Sequence, residues 1–129
     1  MSSYRFNGQD PAQPTVVSAA VPDTQSAACW VAVTPNGRYA FVANTGSSSV
    51  SSYRIVVNGK IELLQAVAGD TGSGSAPADT AVSADGRHLY VRNGHTLTVS
   101  AFEVGSDGQL AVQPTLGDLP STAVGLAAN

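Results

Sequence analysis

The chain reads as an all-β protein built from β-propeller blades, on the strength of three observations. Residues 33–44, VTPNGRYAFVAN, return as residues 82–93, VSADGRHLYVRN, 49 residues later, with five of the twelve positions identical. The offset continues without a gap, from Val50-Ser51-Ser52-Tyr53 to Val99-Ser100-Ala101-Phe102, and backwards from Ser52-Tyr53-Arg54 to Ser3-Tyr4-Arg5. Asn-Gly or Asp-Gly pairs stand at matching places in both copies: Asn36-Gly37, Asn58-Gly59, Asp85-Gly86 and Asp107-Gly108. A period of this length belongs to propellers or helical arrays. No 3.6-residue amphipathic pattern is present, so the helical array is set aside.

Each repeat predicts a four-stranded antiparallel blade. In the first copy the strands are Trp30–Val33, Tyr39–Ala43, Val50–Val57 and Lys60–Val67. In the second they are Thr80–Val82, His88–Arg92, Leu97–Val104 and Gln109–Gln113. The Gly-containing pairs fall between strands and are expected to supply the positive φ of tight hairpins. The first two strands of each repeat are nearly continuous apolar runs, which suits strands covered on both faces. Residues 1–26 are then the end of a preceding blade, 27–75 and 76–118 two whole blades, and 119–129 a terminal strand that closes a ring. With 129 residues the chain holds about 2.6 blades, an incomplete ring. Propellers close with roughly four to eight blades. The expected partners are therefore the missing blades of a longer chain, or further copies of this one.

Composition narrows the function classes. Charged residues are only 12% of the chain, about half the ~25% usual for a soluble domain. The six Lys and Arg, with a net charge of −3, form no basic stripe, which argues against nucleic acid. No apolar stretch reaches the ~20 residues of a membrane span. Cys29 is the single cysteine, so neither an internal disulfide nor a multi-cysteine metal site can form. The segment MSSYRFNGQD has no apolar signal core; cytoplasmic and exported locations both stay open. No metal site and no cofactor is called for by any motif.

The stretch AACWVAVTPNGRYAFVANTGSSSVSSYRI resembles the C-terminal blades of the lactonase-type seven-bladed propeller family. The segments SAPADTAVSADGRHLYVRN and LPSTAVGLAAN resemble its last blade and chain end. That family includes the propeller-type 6-phosphogluconolactonases and the 3-carboxy-cis,cis-muconate lactonizing enzymes. The resemblance implies a full ring of roughly 340 residues at this period. It also implies a parent that hydrolyses or forms a sugar-acid or muconate-type lactone. The alternative is a non-catalytic propeller that binds a ligand or scaffolds a partner.

In a propeller the first strand of each blade lines the channel. The loop entering it and the loop between the second and third strands share one face, the usual ligand face. Here that face is expected to carry Cys29, Trp30, Asn44, Thr45, Thr80 and Asn93, with Asp79, Arg92 and His95 as candidates for chemistry. His95, in the loop NGHT, can move a proton near neutral pH, though a solvated loop histidine is the blander reading. Asp79 is the acid nearest a channel-strand entry; it either acts as a base or caps backbone N–H groups. Arg92 stands where the other repeat has Ala43 and can bind a carboxylate or phosphate bidentately; otherwise it is a rim residue. Cys29 has no local base to make a thiolate and reads as a small buried residue. Trp30 reads as packing, and His88, inside a strand, as structural. Asp85 and Asp107 are turn residues rather than calcium ligands. The run from Gly69 to Gly74 lacks the following helix of a phosphate loop and reads as a flexible connector.

Overall fold

A computed structural model describes residues 1–8 and 10–129, with the backbone alone at residues 7 and 10–12. Ten strands are described, in two four-stranded sheets and one two-stranded sheet. The first complete blade contains β3 (Ala28–Val33), β4 (Tyr39–Asn44), β5 (Ser49–Ile55) and β6 (Ile61–Asp70), hydrogen-bonded in chain order. The second contains β7 (Pro77–Val82), β8 (His88–Asn93), β9 (Thr98–Val104) and β10 (Leu110–Leu116), in the same order. Every neighbouring pair is antiparallel. Before them, β1 (Ser3–Asn7) and β2 (Asp10–Ser18) form a hairpin whose first strand matches β5 in the repeat.

The repeat is reproduced hydrogen bond by hydrogen bond. Thr34 Oγ1 donates to Asn36 Oδ1, and Ser83 Oγ to Asp85 Oδ1. The same two oxygens accept the N–H groups of Arg38 and Arg87. These bonds hold the Asp85 carboxyl below the usual range, the Ser83 hydroxyl contributing most and the Arg87 N–H next. At the far end of the second strands, Asn44 Nδ2 donates to Ser49 Oγ and Ser51 Oγ, and Asn93 Nδ2 to Thr98 Oγ1 and Ser100 Oγ. Both asparagines are fully buried. Each therefore pins the start of the third strand to the end of the second.

The turns need one correction. Among the four Asn-Gly and Asp-Gly pairs, Gly37, Gly59, Gly86 and Gly108 take positive φ, but Asn58 alone of their partners does, at 68°. The Thr34–Gly37 and Ser83–Gly86 turns are closed by the glycine N–H donating to the residue three before it. The left-handed residue follows such a turn, where only glycine is unstrained.

Blades meet through apolar side chains and small residues. Phe41 and Val50 of the first blade pack with Leu89, Val91 and Phe102 of the second. Tyr39 reaches across and donates to the Ser106 carbonyl at 2.9 Å. On its other face, the first blade packs Ala40, Val42, Tyr53 and Ile61 against Val21 of the N-terminal segment. There Tyr53 Oη lies 3.1 Å from the Val21 carbonyl and 3.2 Å from Asp23 Oδ2. Burial, then the Asp23 charge and hydrogen bond, push the Tyr53 phenol up to about 12. The strand β4 is buried throughout, as its apolar run foretold, but β3 is not. It is an edge strand, hydrogen-bonded among the described residues to β4 alone, and Val31 and Val33 stay exposed.

Two further expectations differ. Residues 117–129 form no strand: a strand needs a neighbour to bond to, and only isolated bonds hold this segment. Leu119 N–H donates to the Leu97 carbonyl, and Leu126 N–H to Asp79 Oδ2. The Gly69–Gly74 run is not a loose connector. Asp70 Oδ1 accepts the Gly72 N–H at 2.8 Å, and the buried hydroxyls of Thr71 and Ser75 are 2.7 Å apart.

Candidate functional site

The two channel strands β3 and β7 are built alike. Each carries an irregularity near its start, at Cys29 in β3 and Ala78 in β7, where one extra residue interrupts the register. Such bulges re-aim side chains at sheet edges and beside sites. Just before each strand, Ala27 and Ala76 take positive φ, at 54° and 53°. Ser48 and Leu97, ending the loops between second and third strands, do the same at 53° and 54°. A non-glycine residue there costs on the order of 1–2 kcal/mol. The strain recurs at matching places because one loop bonds back to the other: Thr45 N–H to the Ala27 carbonyl, Gly94 N–H to that of Ala76.

Between these loops, on the seam of the two blades, lies a cleft of about 740 Å³. Its polar lining comes from Thr45, Ser47 and Ser48 of the first blade, Asp70 and Ser73 of the connector, and His95 of the second blade. His95 is held by its backbone N–H, which donates to the Ser75 carbonyl at 3.0 Å. An imidazole, a carboxylate and several hydroxyls around one cleft can hydrogen-bond a polyhydroxylated ligand and move a proton at it. Among the described residues, no three His, Cys, Asp or Glu side chains gather as metal ligands.

The other expected site residues divide. Thr45 lines the cleft, but its hydroxyl donates to the Pro77 carbonyl at 2.7 Å, tying one blade to the next. Asn44 and Asn93 are the buried corner residues described above. Thr80 is buried, paired with Val91 across β7 and β8. Cys29 is exposed rather than buried, because the bulge lies on the open channel-side edge. Trp30 is 48% exposed, so the packing role foreseen for it is at most partial. His88 stacks on Tyr90, ring centroids 6.2 Å apart. Asp79 is 7% exposed and accepts the Leu126 N–H at 2.6 Å, the capping role weighed for it. Arg92 is equally buried. The structure thus places His95 in the interblade cleft and Asp79 under the C-terminal segment, with Arg92 opposite Asp79 across β7 and β8. Asp70 and Ser73 escaped the sequence reading. The signal was available: a connector entering a channel strand shares the face of the loop that carries His95.

A family model described as lactonase, 7-bladed β-propeller, matches residues 1–83. The chain belongs to this family. Solved structures of similar fold include a periplasmic gluconolactonase from Pseudomonas aeruginosa, 27% identical, covering 87% of this chain and 33% of that one with a TM-score of 0.56. A protein from Lactobacillus plantarum is 25% identical over 90% of this chain and 35% of its own, with a TM-score of 0.75. A candidate 6-phosphogluconolactonase from Bacteroides uniformis is 20% identical over 90% and 36%, with a TM-score of 0.68. The chain spans about a third of the length of these structures. No curated protein matches it.

Proposed function

We propose that these blades form part of a ring that opens or closes a small lactone, of sugar-acid or muconate type, with His95 moving the proton. The observation that carries this reading is the family match over residues 1–83. The polar cleft beside His95 supports it chemically. In hydrolysis, His95 takes a proton from water as the water oxygen adds to the lactone carbonyl carbon. The ring C–O bond then breaks, and the proton passes to the departing oxygen, leaving the hydroxy acid. Hydroxyls of Ser47, Ser48 and Ser73 orient the sugar hydroxyls. The remaining wall of the channel comes from further blades, in a longer chain or in other copies of this one.

The test is acid release from a panel of γ- and δ-lactones by a complete seven-bladed ring containing residues 1–129. His95→Ala in that ring is expected to lower kcat by roughly 100-fold or more, the usual share of a general acid–base group. A folded ring that opens no lactone of the panel would count against the reading. Full activity in His95→Ala would remove His95 from it.

A further inference from the structure

Arg92 is a buried arginine that joins no ion pair among the described residues. In β8, Leu89 and Val91 point into the core shared with the first blade. By strand alternation Tyr90 and Arg92 point the other way, towards the C-terminal segment. Arg92 is 7% exposed, and its Nε is shut off from solvent with no hydrogen-bond partner. Neither ion pair among the described residues involves it. Its cross-strand neighbour is Asp79, whose Oδ2 is already engaged by the Leu126 N–H. In the first blade the same place holds Ala43, so the fold does not require an arginine there.

The guanidinium lies near the end of β8, beside the loop that carries His95. A Cβ built on Gly94, in the loop that carries His95, would stand 3.4 Å from Arg92 Nη1. On the same face of the sheet its neighbours Tyr90 and Val99, with Leu116 and Leu126, line a recess of about 380 Å³, a size that suits a small ligand. Val99 is directly opposite Arg92 across β8 and β9. Burying an arginine without a partner is costly. A carboxylate or phosphate taken by both arms of the planar fork removes that cost and fixes orientation.

We propose that Arg92 anchors the carboxylate or phosphate of a small anionic ligand whose body lies in the adjoining recess. Naming that ligand a sugar acid or its lactone rests on the function proposed above; the anion site itself does not. The test titrates the 129-residue chain with inorganic phosphate and with gluconate, using chloride at equal ionic strength as control. Melting temperature and the Arg92 Nε–H resonance report binding. Saturable binding of either probe is expected, weakened about tenfold or more in Arg92→Ala, which installs the first blade's residue. Should Arg92→Ala fail to fold, Arg92→Met, which keeps the stem, serves in its place. Binding of phosphate alone points to a phosphate ester, and of gluconate alone to a carboxylate. Equal affinity with and without the guanidinium, or no saturable binding of either probe, overturns the proposal. Arg92-dependent binding without turnover by the complete ring upholds the anion site and counts against the lactone reading. Turnover without Arg92-dependent binding does the reverse.

Discussion

The two complete blades share their backbone frame and part company in the side chains at their seams. Turn caps, asparagine corners and left-handed residues coincide at the 49-residue offset. The differences fall on Tyr53 against Phe102, Ala43 against Arg92 and Gly46 against His95. The shared positions build a blade; the others determine what each blade touches. In the first blade, Tyr53 grips the N-terminal segment. In the second, Arg92 and His95 put a guanidinium and an imidazole at the end of β8 and in the loop that follows it.

The largest test of this comparison is a matched pair of glycines. Gly59 and Gly108 occupy the same turn in the two blades, at φ 79° and 81°. A Cβ on Gly59 meets nothing, whereas one on Gly108 would come within 2.5 Å of the Tyr39 ring. Gly59→Ala is expected to cost about 1–2 kcal/mol, from backbone strain alone. Gly108→Ala adds overpacking of about 1–3 kcal/mol and frees Tyr39 from Ser106. Denaturant unfolding of both variants checks this; equal losses would mean Tyr39 does not seat on the second blade.

Next come Gly37→Val and Gly86→Val, each expected to destabilise by about 1 kcal/mol or more. Gly86 loses more, because its Cβ would already touch Pro35 of the other blade at 3.4 Å, which leaves little room for the valine γ carbons. Melting curves unchanged in both variants would remove these turns from the account. A smaller, pH-dependent effect separates Tyr53 from Phe102. The phenol titrates near 10 when unfolded and is raised to about 12 when folded. Between these values the unfolded chain loses the proton that the folded chain keeps. Stability at neutral pH is therefore retained up to about pH 10 and falls as pH rises towards 12. Tyr53→Phe should flatten that fall; an unchanged profile would place the alkaline loss elsewhere.

Much of this fold is legible in the sequence, because each repeat carries its own punctuation. Thr34-Pro35-Asn36-Gly37 and Ser83-Ala84-Asp85-Gly86 announce the same turn twice. Strand ends were harder to read. The strand β7 starts at Pro77 rather than Thr80 because proline, lacking an N–H, is tolerated at a strand's first residue. The strand β5 ends at Ile55 because the Val56 N–H is spent on the Lys60 carbonyl across the turn. Of the site, His95 was legible as a loop histidine, but Asp70 and Ser73 were hidden in a glycine-rich run that looked featureless. The capping of Asp79 depends on a C-terminal segment with no pattern of its own, and no local signal reports that.

On the proposed function, a working site needs a channel enclosed by more blades than these two. Reacting groups must be held to within about an ångström, since misplacement by 1 Å can cost about 100-fold. The most direct measurement incubates the purified 129-residue chain alone with γ- and δ-lactones and follows acid release. No release above the uncatalysed background is expected. Release that disappears in His95→Ala or Asp79→Asn would contradict it, and would show that two blades, or a self-assembled ring of them, suffice.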